Sequence, residues 1–268
     1  MPQYLSDPAA TCRLIHQLAD AAAAATLAHF RISATADNKA ELDFDPVTEG
    51  DRSGERAMRA ILDSVCPDDN VIGEEYPPRE GDSGWTWYLD PIDGTRAFVA
   101  GLPTWTTLIG LADPDGTPVF GCIDQPVLGE RYLGWPGGAA LFSAGRETPL
   151  AVSGCADLRE AVISTTDPFI LTPAEEGAWT HLRHTARLAR YGLDAYAYAR
   201  LASGTIDLVA ESGLKPWDTA ALIPVVRGAG GLAMDWQGRP AGHGGQIVCA
   251  SSEAVMEQAL LALRRSAS

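Results

Sequence analysis

The sequence lacks most of the marks of a transition-metal protein, a secreted scaffold or a nucleic-acid surface. Its five cysteines (Cys12, Cys66, Cys122, Cys155 and Cys249) are scattered, odd in number and never in a CxxC pair. This argues against a disulfide framework and for free thiols in a reducing cytosol, so a cytoplasmic location is expected. The five histidines (His16, His29, His181, His184 and His243) form no HExxH pattern, so zinc is not expected. Basic residues are scarce: 20 Lys and Arg stand against 35 Asp and Glu, for a net charge of −15. That balance argues against a broad electrostatic footprint for nucleic acid or anionic membrane. It leaves room for a small anionic substrate, because bound Mg²⁺ can reverse the sign locally.

Long hydrophobic runs are also missing. The longest uncharged stretch, Ala97 to Ala112, is interrupted by Pro103 and two glycines and reads as loop and strand, not as a membrane span. The N-terminus has no basic segment followed by an apolar core, and Ala21 to Ala25 lies within an amphipathic helical pattern, so no signal peptide is expected. Low-complexity segments and repeats are absent. What remains is a chain of 268 residues, 46% hydrophobic, with enough apolar content for one large domain or two closely packed ones.

Local patterns predict an α/β protein. Ser6-Asp7-Pro8 marks a helix start, with the helix running to about Phe30, and a second helix starts after Thr48 and ends before Pro67. Ser33 to Asp45 is polar and reads as irregular or extended. From Val71 to about Leu150, short apolar runs alternate with turns such as Asp113-Pro114-Asp115-Gly116, which predicts an antiparallel or mixed sheet. Beyond Ser153, strands at Val162–Thr165, Leu208–Ala210 and Gln246–Ala250 interleave with helices at Pro173–Ala186, Ala195–Ser203, Thr219–Arg227 and Glu253–Arg265. A division into residues 1–150, an α+β domain, and residues 151–268, an α/β domain, is expected.

The most informative segment is Asp90-Pro91-Ile92-Asp93-Gly94-Thr95. It follows an apolar strand pattern, Trp87-Tyr88-Leu89, that reads as ending at Asp90. Two carboxylates flank a turn, and a Gly-Thr pair follows that can present backbone N–H groups to an anion. Hard oxygen ligands beside an anion cradle suit a divalent cation and phosphate. The ordinary alternative is a strand-to-helix turn, since Asp-Pro and Asp-Gly are common turn dipeptides. Three other acidic segments have ordinary readings too. Glu74-Glu75 can be solvated surface, Asp218 after Trp217 can be a helix N-cap, and Thr48 or Asp51 beside Asp45 can cap the second helix.

Together, four segments resemble the inositol monophosphatase family of Mg²⁺-dependent phosphatases. They are Asp45-Pro-Val-Thr-x-x-Asp51, Gly73-Glu74-Glu75, Asp90-Pro-Ile-Asp-Gly-Thr95, and Trp217-Asp218 followed by Gly228-Ala-Gly-Gly231, and they span nearly the whole chain in the family's order. The resemblance implies the layered αβαβα sandwich of the inositol monophosphatase/fructose-1,6-bisphosphatase type, with Asp218 and the substrate pocket supplied by the C-terminal half. It implies a phosphate monoester hydrolase using two or three Mg²⁺ ions. Glu74, Asp90 and the carbonyl of Ile92 would hold the first ion; Asp90, Asp93 and Asp218 the second; a third would share Glu74 with waters. Water would be the nucleophile, directed by Glu74 and Thr95, with Asp45 bonded to the Thr95 hydroxyl. The N–H groups of Gly94 and Thr95 would hold phosphate oxygens. The partner would be a small phosphorylated substrate and, in the family manner, a second copy of the chain in a homodimer.

Further segments resemble the histidinol-phosphatase branch, which releases phosphate from histidinol phosphate in histidine biosynthesis. They are Gly101-Leu-Pro-Thr-Trp-Thr-Thr-Leu-Ile-Gly-Leu111, Gln125-Pro-x-x-Gly-Glu-Arg131, Arg190-Tyr-Gly-Leu-Asp-Ala-Tyr196 and Asp207-Leu-Val-Ala-Glu-x-Gly-Leu-Lys-Pro-Trp-Asp218. Arg96-Ala97-Phe98 departs from the Thr-Asn-Phe usual in inositol-directed members. Arg96, Asp194 and Glu211 are therefore the substrate-binding candidates, the two acids suiting a cationic amine and an imidazole; a helix cap is the ordinary alternative for Asp194. Inositol or broad small-molecule monophosphatase activity, and a non-catalytic regulator on the same fold, are the competing functions.

Overall fold

The computed structural model describes residues 3–32, 37–38 and 46–266. The N-terminal segment forms α1 (Gln3–Ser6), α2 (Pro8–Leu27), the short antiparallel pair β1 (Asp37–Asn38) and β2 (Pro46–Val47), and α3 (Glu49–Val65). Asp7 caps α2 by accepting from the Ala10 N–H at 2.9 Å, with Pro8 at the first helical position. Thr48 and Asp51 form a capping box at the start of α3. The expected irregular stretch from Ser33 lies outside the described residues except at Asp37 and Asn38.

Seven strands follow in one sheet, in sequence order: β3 (Asn70–Gly73), β4 (Thr86–Asp93), β5 (Thr106–Ala112), β6 (Pro118–Gln125), β7 (Glu130–Trp135), β8 (Gly138–Ser143) and β9 (Arg146–Pro149). Only β3 and β4 pair in parallel; every later pair is antiparallel. The short α4 (Thr95–Val99) bridges β4 and β5. A second sheet, in the order β11-β10-β12-β14-β13, is built from β10 (Val162–Ser164), β11 (Leu188–Arg190), β12 (Leu208–Leu214), β13 (Leu232–Met234) and β14 (Gly245–Ala250). Its helices are α5 (Pro173–Thr185), α6 (Tyr196–Ala202), α7 (Pro216–Gly228) and α8 (Glu253–Leu263).

The central strands β5 and β6 are buried on both faces, and their alternation sorts the layers. In β5, β6 and β7, Ile109, Cys122 and Leu133 pack with Leu18, Met58 and Leu62 of α2 and α3. Their neighbours Leu108, Ile123 and Tyr132 point the other way, into a core shared with α6, α7 and residues Val209, Ile247 and Cys249 of the second sheet. The opposite face of that sheet, Leu208, Ala210, Val248 and Ala250, packs with Trp179 of α5 and Val255 and Met256 of α8. The result is the expected αβαβα sandwich, with α6 and α7 as the middle layer.

A row of three glycines sets the depth of α7. Gly110, Gly121 and Gly134 are direct neighbours across β5, β6 and β7. A Cβ on Gly121 would lie 2.1 Å from the Ala221 carbonyl oxygen, and one on Gly134 would lie 2.4 Å from the Pro224 backbone. The row is a furrow in the sheet, and α7 lies in it.

The structure differs from the sequence reading at element ends. Strand β4 continues past Asp90 to Asp93, with a break in register between those two residues. Helix α7 starts at Pro216, earlier than Thr219, because Pro at the first helical position needs no N–H partner. The three-residue strands β11 and β13 were not expected. Among the described residues, no helix is long and apolar enough to cross a membrane.

Candidate active site

The register break in β4 builds the centre of the site. Pro91 has no N–H for the ladder, and its carbonyl accepts from the Thr107 hydroxyl at 2.7 Å instead. The chain then folds back on itself: the Ile92 N–H donates to Asp90 Oδ1 at 2.9 Å, and the Thr95 hydroxyl donates to the Ile92 carbonyl at 3.1 Å. Gly94 closes the turn in the left-handed region, at φ +82° and ψ 42°. Asp90 and Asp93 therefore project from a bulged strand end toward the same side.

Asp218 reaches them from α7. It is not the helix N-cap; Lys215 occupies that position. Asp218 sits at the third helical position and accepts from the Lys215 N–H at 2.7 Å through Oδ2. Asp90, Asp93 and Asp218 each bring one carboxylate oxygen within 4.8 Å of the others, Asp90 buried and the other two half-buried. Glu74 lies outside this triad, yet its charge is the strongest electrostatic influence on Asp90 after burial.

The electrostatics are those of an anion cluster short of cations. Burial, then Glu74, Asp93, Asp218 and Asp51, hold the Asp90 carboxyl well above the usual carboxylate range. Burial, then Asp194 and Asp218, do the same to Asp93. Burial pushes Asp218 up to about 7, opposed by its bond from the Lys215 backbone. Three hard oxygen donors converge, with no nitrogen or sulfur, and each destabilises the others in the absence of positive charge. This donor set fits Mg²⁺.

Two of the substrate candidates, Asp194 and Glu211, share a cavity with Asp93 and Asp218. Asp93 Oδ2 accepts from the Ala195 N–H at 2.7 Å, which brings the preceding residue, Asp194, over the turn. A Cβ on Gly94 would lie 3.0 Å from Asp194 Oδ2, so that carboxylate rests against the Asp93-Gly94 turn. Asp194 is held at φ +48°, an uncommon conformation for a residue other than glycine. Its carboxylate does not cap α6, which has no side-chain cap. Burial raises Asp194 to about 6, with the charge of Arg96 opposing.

Glu211, from β12, is buried and accepts from the Thr166 N–H at 2.7 Å and the Thr166 hydroxyl at 3.0 Å. Burial still raises it to about 8. Glu211, Asp194, Asp93, Asp218 and Tyr198 line one cavity of about 150 Å³. Arg96 stands beyond that lining, 3.9 Å from Asp167. Asp45 lies outside the described residues. Sequence reasoning missed Thr166, Ala195 and Tyr198; a threonine, an alanine and a tyrosine carry no local signal until the fold brings them to the acids.

The chain matches the profile of the inositol monophosphatase family over residues 9–268. It is 41% identical to the bifunctional phosphatase IMPL2 of Arabidopsis thaliana over 199 residues, 74% of this chain and 56% of that protein. It is 35% identical to the histidinol-phosphatase of Streptomyces coelicolor over 266 residues, 94% of each. Among solved structures, an inositol monophosphatase from Zymomonas mobilis superposes with a TM-score of 0.84 at 40% identity, covering 98% of this chain and all (100%) of that one. The sandwich is shared and the sequence match runs almost end to end: the chain belongs to the inositol monophosphatase family.

Proposed function

We propose that the protein is a Mg²⁺-dependent histidinol-phosphate phosphatase, converting histidinol phosphate and water to histidinol and phosphate in histidine biosynthesis. The observation that carries this reading is that Asp93 and Asp218 line the same cavity as Asp194 and Glu211. A phosphate ester with a cationic leaving group matches both pairs: phosphate toward the metal ligands, amine and imidazole toward the remaining acids. The similarity to the Streptomyces coelicolor histidinol-phosphatase over 94% of the chain supports it.

In this reading, Glu74, Asp90 and the Ile92 carbonyl would hold one Mg²⁺, Asp90, Asp93 and Asp218 would hold a second, and Glu74 would also serve a third. Bound Mg²⁺ supplies the positive charge that activates water and offsets charge on the leaving oxygen. The residues of the chain do the positioning. Glu74 and Thr95 orient the attacking water, and Asp45 directs the Thr95 hydroxyl. In the structure that hydroxyl donates to the Ile92 carbonyl at 3.1 Å; in this reading its one proton turns to Asp45 instead, which frees the carbonyl for a cation and leaves the hydroxyl oxygen to accept from the water. The N–H groups of Gly94 and Thr95 bind phosphate oxygens, Arg96 sets the approach of the ester, and Asp194 and Glu211 receive the cationic group. Attack by water leaves no covalent phospho-enzyme. We also infer a homodimer, on family resemblance alone, and a cytoplasmic location, on the free cysteines.

A second reading, inositol or broad small-molecule monophosphatase, is favoured by the similarity to the Zymomonas mobilis structure. Growth separates the two. A histidine auxotroph lacking histidinol-phosphatase should grow without histidine when it expresses this chain, and should fail with the Asp93→Asn variant. No growth despite soluble expression would overturn the assignment to histidinol phosphate.

A further inference from the structure

We propose that Glu55, a buried residue of α3 outside the metal and substrate sets, is the positioning residue for Glu74. The proposal rests on the reading that Glu74 is a metal ligand. Glu55 is 0% exposed, an expensive place for a carboxylate unless both oxygens are occupied. Both are. Oε1 accepts from Arg59 Nε at 2.7 Å, one helical turn on. Oε2 accepts from the backbone N–H of Glu75 at 2.7 Å, immediately after Glu74.

The neighbouring turns of α3 grip the same loop. Arg59 Nη2 donates to the Tyr76 carbonyl at 3.3 Å, Arg56 Nη1 donates to the Tyr76 hydroxyl at 2.8 Å, and that hydroxyl donates to the Arg52 carbonyl at 3.3 Å. On the other side of Glu74, Gly73 pairs with Leu89 in the β3–β4 ladder, and the Glu74 N–H donates to the Leu89 carbonyl at 3.2 Å. Glu74 is thus pinned between the strand that carries Asp90 and a helix that holds the following peptide.

Gly73 is the steric counterpart. A Cβ there would lie 2.1 Å from Glu55 Oε1. The bare glycine lets the Glu55 carboxylate pass beside the strand end and reach the Glu75 N–H. The arrangement fixes the backbone of a residue whose carboxylate is itself outside the tight triad, so the loop decides how far Glu74 reaches toward Asp90. Residues that orient a ligand in this way typically change metal affinity by about 10- to 100-fold when removed.

The test is Mg²⁺ binding alone, measured by titration calorimetry on the full chain, with Glu55→Ala, the near-isosteric Glu55→Gln and Glu74→Gln. Glu55→Gln keeps the volume and one acceptor, so it reports even if Glu55→Ala fails to fold. We expect Glu55→Gln to weaken the tightest Mg²⁺ site about tenfold, and to have no further effect in the Glu74→Gln background. A merely structural role would lower the melting temperature equally in both backgrounds and leave Mg²⁺ affinity unchanged. Unchanged affinity in a folded Glu55 variant, or an equal loss with and without Glu74, overturns the proposal. If Glu74→Gln itself leaves binding unchanged, the metal-ligand reading falls, and the positioning role with it.

Discussion

The carboxylate of Asp93 accepts a hydrogen bond from the backbone N–H of Ala195 at 2.7 Å, tying residues 102 apart in sequence. One oxygen of the acidic triad thereby anchors the start of α6, and with it Asp194, against the turn at Gly94. The proposed metal site and the proposed substrate pocket share this residue, so a change at Asp93 should be felt in both.

Asp93→Asn separates charge from geometry. The amide oxygen can still accept from Ala195, so the fold should persist, while the second metal loses a ligand. We expect kcat/KM to fall by at least about a hundredfold, the scale of losing one preorganised electrostatic group. The metal-free variant should melt higher than the parent, because one member of a mutually repelling cluster is gone. Steady-state kinetics and thermal denaturation in chelator check the two halves.

The buried acids give stability a definite pH dependence. Asp218 is raised from its ordinary 3.8 to about 7, and Glu211 from 4.5 to about 8. Between about pH 4 and pH 8 the folded state therefore binds more protons than the unfolded one, and stability falls as pH rises. Metal-free protein should melt highest near the bottom of that window. Added Mg²⁺ should raise the melting temperature more at pH 8 than at pH 5, since ligation displaces protons. A Mg²⁺ effect independent of pH would contradict the linkage.

Gly121→Ala tests the furrow that seats α7. The new methyl meets the Ala221 carbonyl, a backbone atom that cannot swing aside. We expect a loss of about 1–3 kcal/mol, the usual scale of overpacking. Weaker Mg²⁺ binding should accompany it, as Asp218 rides on the displaced helix. Urea unfolding and Mg²⁺ titration of the same preparation measure both.

Much of this site can be read along the chain because its backbone is unusual. Asp90-Pro91 and Asp93-Gly94 mark a turn through residues whose conformational needs are local, and that turn proves to be the bulged end of β4. The furrow is not legible in the same way. Gly110, Gly121 and Gly134 become a row only when strand register is known. Glu55 is hidden for another reason: an acid four residues before an arginine on a helix looks like an ordinary surface pair, and only the neighbouring strand end buries it. Asp218 reads as a cap from its place before an apolar run, whereas Pro216 starts the helix earlier and moves it to the third position.

Glu211→Gln addresses the leaving group. Its bonds from Thr166 can persist with an amide oxygen, so the pocket should keep its shape and lose only the ability to ionise beside a cationic ligand. KM for histidinol phosphate should rise about tenfold or more, while KM for a neutral phosphate ester stays within about twofold, a difference set by loss of a charge-assisted contact. Equal changes for both esters would remove Glu211 from substrate recognition.

The most direct test of the central claim is the ratio of kcat/KM for histidinol phosphate to that for inositol 1-phosphate, measured with Mg²⁺ on the purified chain. An acidic pocket facing a metal triad predicts a large preference for histidinol phosphate, and loss of all turnover in chelator. Equal or greater efficiency on inositol 1-phosphate, or Mg²⁺-independent turnover, would contradict it.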